Sequence, residues 1–224
     1  MNKVSKFLKN TKYISDIHLE KNHIRNIKAD KPNIILAGDI GYPFESSYQT
    51  FIHEMAYKFE KVFVISGNHE YDGFKNISIV ENKIKNICNM RRNVHYLQKD
   101  TYMLCSEDNL YLAGCTFWAK LPLSKQKYHT EHVNWLKNLL TENKDKDYII
   151  TTHHAPLYEC LHRNIHSYVP NYFASDQKEL VRMNNMLAWI HGHTHINRNI
   201  NIYNKWILSN QYGSFFNPGK GYVQ

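Results

Sequence analysis

NIILAGD, Asn33 to Asp39, is a β-branched apolar run that closes on a glycine and an acid, the form of a buried strand ending in a turn. KVFVISG, Lys61 to Gly67, repeats the pattern, and TKYISDIH, Thr11 to His18, precedes both. Between the second and third runs, Ser47 to Glu60 spaces Phe51, Met55 and Phe59 four apart behind Ser46 or Ser47 as an N-cap, which predicts an amphipathic helix. Strand, helix, strand in that order is βαβ logic, and it sets the expectation of an α/β fold.

Outward from this unit, a helix is expected from Ile77 to Met90, with Ile77, Val80, Ile84 and Ile87 on one face. From Val94 to Trp118 the texture changes to the strands VHYL, YMLCS and LYLAGCTFW, a half that reads as mixed or antiparallel. A helix from Thr130 to Leu140, the strand DYIITTHH (Asp147 to His154) and a helix from Gln177 to Asn184 lead to MLAWIHGHTH. The segments RNINIY and KWILSN predict a hairpin across Asn204-Lys205. No internal repeat or Gly/Pro/Ser-rich linker divides the chain, so residues 1–224 are expected to form a single domain.

Of the 224 residues 42% are hydrophobic and 21% charged, ordinary globular proportions, and no apolar run approaches the roughly 18 residues of a membrane span. MNKVSKFLKNTKY carries a basic residue every few positions and lacks the apolar core of a secretory signal, which points to the cytoplasm. Cys88, Cys105, Cys115 and Cys160 show no CxxC spacing and are read as packed, reduced thiols. The net charge of +8 favours anionic partners, but its lysines are scattered rather than gathered on a stripe, so extended nucleic acid is not the favoured partner.

What sets the chain apart is where its polar residues fall. Asp16 and His18 follow the first strand, Asp39 the second, Asn68 and His69 the third, His153 the run YIITT, and His193 and His195 the run MLAWI. Singly, each has a plain structural reading: Asp16 as a helix cap, Asp39 as a turn residue, Asn68 in the left-handed conformation that Asn tolerates. Together they do not, because five strand ends each deliver Asp, Asn or His, and such groups buried without partners cost several kcal/mol apiece. Carboxylate and amide oxygen mixed with imidazole nitrogen, and no thiolate, suits Mn²⁺, Fe, Zn²⁺, Co²⁺ or Ni²⁺ better than Ca²⁺ or a Cys-rich zinc site. Seven such ligands exceed one tetrahedral site and suit a pair of ions sharing a carboxylate.

DIH (Asp16 to His18), GD (Gly38-Asp39), GNHE (Gly67 to Glu70), THH (Thr152 to His154) and GHTH (Gly192 to His195), in this order, resemble the calcineurin-like metallophosphoesterases, in particular their compact bacterial-type members. The resemblance implies a four-layer αββα sandwich, two mixed β-sheets flanked by helices. It implies that Asp16, His18 and His195 hold one divalent ion and Asn68, His153 and His193 the other, Mn²⁺ being the first expectation. Asp39 would bridge them, and His69 would stand over the phosphoryl group as general acid. His154 and His191 are expected to orient neighbouring ligands; His23, His53, His95, His129 and His132 are read as ordinary surface or partly packed rings.

The implied reaction is phosphoester hydrolysis: a water between the ions, its pKa lowered towards neutrality, attacks phosphorus while His69 protonates the leaving group. GDIGYPF and SGNHE stand where Ser/Thr protein phosphatases of the superfamily carry GDxVDRG and RGNHE, which turns the expectation away from that branch and leaves Glu45, Glu70 and Asp72 open as the partner of His69. The substrate expected is a small or nucleotide-type phosphomonoester or diester, cyclic nucleotides included; a small nuclease, or a metal-binding interaction scaffold of the same fold, are the alternatives. Residues 119–130 and 159–175, with Arg163, His162 and His166, are expected as loops bordering the site.

Overall fold

A computed structural model of the chain describes residues 2–21, 27–162 and 170–213. Thr11–Ile14 (β1), Asn33–Ala37 (β2), Lys61–Ile65 (β3) and Val94–Tyr96 (β4) form one sheet in that order, parallel throughout. A second sheet is built from Asp100–Cys105 (β5), Leu110–Cys115 (β6), Asp147–Thr152 (β7), Met186–Ile190 (β8), Ile200–Ile202 (β9) and Lys205–Leu208 (β10), in the order β5-β6-β7-β8-β10-β9. Its outer pairs are antiparallel and its inner pairs parallel, so the mixed character expected of both sheets belongs to this one.

The side-chain period of two along each strand creates the layers. Ile34, Leu36, Val62 and Val64 point one way, into a core closed by Ser46–Lys58 (α2) and Ile77–Asn89 (α3), where Phe51, Met55, Val80 and Ile84 wait. Their neighbours Ile35, Ala37, Phe63 and Ile65 point the other way and meet Leu110, Leu112, Ile149, Ala188 and Ile190 of the second sheet. The far face of that sheet, with Tyr148, Ile150 and Trp189, packs on Gln126–Glu142 (α4) and Lys178–Val181 (α5) through Leu136, Leu140, Leu180 and Val181. Helix, sheet, sheet, helix is the result.

The structure departs from the sequence reading in local ways. Val94–Tyr96, grouped by sequence with the antiparallel half, pairs instead with β3, because helix α3 returns the chain as a parallel crossover. The hairpin turns at Tyr203-Asn204, whose φ angles of 54° and 60° suit a two-residue primed turn, while Lys205 is already paired with Ile202. The helix expected from Gln177 to Asn184 is one turn long, and the Asn185 amide beyond it donates to the Leu140 and Asn143 carbonyls. An N-terminal helix, Lys3–Asn10 (α1), adds to the elements the sequence predicts; the Asn2 side chain accepts the Ser5 N–H at 2.8 Å and Phe7 enters the core between the sheets. Cys88, Cys115 and Cys160 are buried free thiols and Cys105 is half-buried. Among the described residues no helix is long and apolar enough to cross a membrane.

His129 and His132 are not the ordinary surface or partly packed rings that the sequence predicts. Both are buried on α4, where His132 Nδ1 accepts the Phe117 N–H at 2.9 Å and His129 Nδ1 donates to the Trp118 carbonyl at 2.5 Å. They fasten the chain leaving β6. His23, Arg163 and His166 lie outside the described residues, and His162 is exposed.

Candidate metal centre

Parallel strands put their carboxyl ends along one edge, and the segments after β1, β2, β3, β7 and β8 meet there. They leave their strands by an unusual route: Asp16 (φ 55°), His18 (52°), Asp39 (52°), His193 (68°) and His195 (52°) are all left-handed. Each such non-glycine residue costs roughly 1 kcal/mol or more, and their gathering at one place marks loops bent to aim side chains. Asn68, the residue expected to tolerate that conformation, is right-handed with φ −78°.

Asp39 sits fully buried at the centre. Its Oδ1 accepts the His69 N–H at 2.9 Å, while Oδ2, without a hydrogen-bond partner, lies 3.2 Å from His153 Nε2, 3.8 Å from His18 Nε2 and 4.0 Å from His69 Nε2. Asp16 accepts the His193 N–H and the Ser15 hydroxyl, and its Oδ1 lies 3.8 Å from His195 Nε2. Asn68 Oδ1 is 3.0 Å from His153 Nε2. All eight residues singled out in the sequence are thus brought into one cluster.

Whether this cluster suits cations is answered by its unpaired atoms. His18 Nε2, Asp39 Oδ2, His193 Nδ1 and His195 Nδ1 are buried and unpartnered, although an orphaned buried polar atom costs about 1–3 kcal/mol. Asp16, His18 and His195 can bring ligand atoms within 4.8 Å of one another, as can Asp39, His153 and His193, and also His18, Asp39 and His69. The rings are held by their other nitrogens: His153 Nδ1 donates to the Ala37 carbonyl at 3.0 Å, which turns Nε2 to Asp39 and Asn68, and His193 Nε2 donates to the Tyr172 carbonyl at 3.1 Å, which leaves a lone pair on its buried Nδ1. The residues therefore fit a pair of divalent ions.

The charges show the same strain. Burial opposes ionisation of Asp39, but the His153 ring beside it prevails and holds the carboxyl well below its usual range. Burial likewise disfavours a charged His153, and Asp39 overrides it, raising the ring to about 9. His193 has no such compensation: burial, then His153, press it down to about 3. His69 is raised to about 9, chiefly by Asp72, whose Oδ2 lies 2.7 Å from its Nδ1. Of the carboxylates left open by the sequence, Asp72 is the one beside His69.

A family model described as calcineurin-like phosphoesterase matches residues 11–197. The chain belongs to this family. An uncharacterized protein, L509, of Acanthamoeba polyphaga mimivirus is 28% identical over an alignment covering 92% of this chain and 94% of that one. The crystal structure of phosphopantetheinyl hydrolase from Mycobacterium tuberculosis is similar in fold, with a TM-score of 0.68 at 13% identity over 93% of this chain and 90% of that one. A dimetal phosphatase from Danio rerio gives a TM-score of 0.58 at 14% identity over 90% and 86%. Family and cluster together make this chain a metal-dependent phosphoester hydrolase.

Three further residues shape the phosphoesterase centre. Glu20, 2.9 Å from His18 Nδ1, has its second oxygen buried without a partner. Glu70 lies behind Asp39 and accepts backbone N–H groups from two loops. Gln211, beyond β10, accepts the His195 N–H at 2.6 Å and donates to Thr194 Oγ1 and the Ile196 carbonyl. Glu20 was in plain view two residues after His18, whereas nothing in the local sequence points from Gln211 to the GHTH loop 16 residues earlier. His154 packs on His193 with ring centroids 4.1 Å apart, and His191 Nδ1 donates to the Gly192 carbonyl at 3.0 Å.

Proposed function

We propose that the chain hydrolyses a small or nucleotide-type phosphomonoester or diester in the cytoplasm with a pair of divalent ions, Mn²⁺ foremost. Asp16, His18 and His195 hold one ion, Asn68, His153 and His193 the other, and Asp39 lies between them. Such ions, when bound, supply Lewis acidity and a water-derived nucleophile near neutral pH.

The chain's own contribution is orientation and a proton. With Asp72 Oδ2 2.7 Å from Nδ1, the His69 ring has Nε2 4.0 Å from Asp39 Oδ2, and the Asp72 carboxylate raises the ring to about 9. From Nε2 an imidazolium donates to the departing alkoxide, a contribution of about 10²–10⁴ in rate. The single observation that carries the reading is the set of unpaired buried ligand atoms around Asp39.

Hydrolysis of p-nitrophenyl phosphate and its bis ester tests it, in parallel with ion counting on purified protein. Turnover that appears with Mn²⁺, Ni²⁺ or Co²⁺ and vanishes with chelator is expected. Absence of turnover with all of them would favour the scaffold reading, and fewer than two ions per fully loaded chain would overturn the paired site.

A further inference from the structure

A cavity of about 350 Å³ adjoins the cluster, and Asn68 and His193 are part of its lining. Leu121 and Pro122 make one wall, and the rest is aromatic. Trp118 meets His154 at 5.7 Å between ring centroids, His154 meets His193 at 4.1 Å, and His193 meets Phe173 at 5.4 Å, so an arc of four rings borders the cavity, with the proposed ligand His193 among them. Among the described residues no Lys, Arg, Asp or Glu lines the cavity, in a chain whose net charge is +8.

The arc is constructed rather than incidental. Phe117 is held at φ 54° with its N–H on His132, and this strained turn delivers Trp118 beside His154. Trp118 is only 4% exposed, and its indole N–H is buried with no partner. On the other side the Tyr172 carbonyl binds His193 Nε2, tying the segment that carries Phe173 to the metal cluster. Small-ligand sites have this make-up, apolar and aromatic walls with few polar groups, and volumes from about 300 Å³ upward.

We propose that this cavity receives the organic group of the phosphoester, and that the group is a flat, uncharged ring system. The proposal rests on the metal-centre reading above, because Asn68 and His193, proposed ligands, also line the cavity and so put the phosphoryl group beside it. Flat rings stack on such an arc, and among the described residues no charged side chain lines the cavity to pair with a charged group, Lys125 Nζ standing 4.6 Å from the Trp118 ring centroid without lining it.

Phenylphosphonate and methylphosphonate carry the same anionic head and differ only in the group offered to the cavity, so their binding to the Mn²⁺-loaded protein, read by calorimetry, isolates its contribution. Phenylphosphonate should bind about tenfold tighter or more. Trp118→Leu and Phe173→Leu should each erase most of that advantage while leaving methylphosphonate affinity and metal content unchanged; the ratio in the unaltered protein stands as a test even if a variant folds poorly. Equal affinity for the two phosphonates would overturn the cavity assignment and leave the metal reading intact, and a cyclohexyl analogue matching phenyl would overturn planarity. Failure of both phosphonates to bind would bring down the metal reading itself.

Discussion

Glu70 Oε1 accepts the Ile40 N–H at 2.7 Å, deep in the interior. Its other oxygen accepts the Asp39 N–H at 3.0 Å and the Gly67 N–H at 2.8 Å, so one carboxylate binds the loops after β2 and β3 to each other. Burial, then the Asp39 charge, raise its pKa to about 7, which shows how costly the group is and how much those donors must return.

Glu70→Gln keeps the shape but substitutes an NH₂ for one acceptor, setting donor against donor. A loss of about 2–4 kcal/mol in stability is expected, with weakened metal binding, because Asp39 and Asn68 ride on the two loops. Denaturant melts and metal titration check this; a variant as stable and as well loaded as the parent contradicts the clamp.

The glycines before the ligands can be judged the same way. A Cβ on Gly67 would collide with Asp39 Oδ1, one on Gly38 would lie 2.5 Å from His153 Nδ1, and one on Gly192 2.7 Å from Asp16 Oδ2. Gly38 also has φ +87°, whereas Gly67 needs only the space. Gly67→Ala should therefore displace Asp39 and abolish metal loading in protein that still shows α/β circular dichroism. Full loading of that variant would mean the loop yields more easily than the packing implies.

Glu20 makes a gentler test. A carboxylate on the far nitrogen of a metal-binding imidazole fixes its orientation and raises its basicity, typically worth 10–100-fold in metal affinity. Glu20→Gln should lower the affinity of one site by about that range with little change in fold, since the contact involves a single side chain. Unchanged stepwise affinities measured by calorimetry would remove Glu20 from the centre.

The strands that carry the ligands were legible because each is a continuous apolar run ending in Gly, Asp, Asn or His, and both faces of NIILA and KVFVI are in fact buried. The cluster of proposed ligands was legible in part for the same reason: parallel strands present their carboxyl ends along one edge of their sheet, here β1 to β3 in one sheet and β7 and β8 in the other. Long-range restraint was not. Gln211, the pairing of β4 with β3, and the burial of His129 and His132 depend on contacts between distant segments, which leave no local period or spacing. The turn at Tyr203-Asn204 was misplaced by one residue because a tyrosine at φ 54° runs against turn preference.

His132 supplies a pH test away from the metals. Burial, with Lys99 adding to it, presses its pKa down to about 4, against about 6.5 when the chain is unfolded. Between pH 6.5 and 4 the unfolded chain takes up a proton that the folded one refuses, so this contribution is full above pH 6.5 and is lost as pH falls through that window, up to about 3 kcal/mol. His132→Gln should be less stable at pH 7, because Phe117 N–H loses a well-placed acceptor, but should lose less on acidification. Parallel stability curves over that window would show that His132 does not govern the slope.

The final prediction separates proton delivery from metal holding. His69 Nδ1 is engaged by Asp72, and its backbone N–H by Asp39 Oδ1, so the ring's removal leaves the proposed ligands' own contacts in place. His69→Ala should retain its ions and lose about 10²–10⁴ in rate on alkyl esters, whose alkoxides need a proton, while p-nitrophenyl esters, whose leaving group departs unaided, suffer far less. Asp72→Asn should show the same ordering, weaker, because the ring keeps its place but loses the charge that holds its proton. If instead His69→Ala lost ions in step with activity, the ring would be a ligand, as its approach to His18 and Asp39 within one ligand-sized cluster allows.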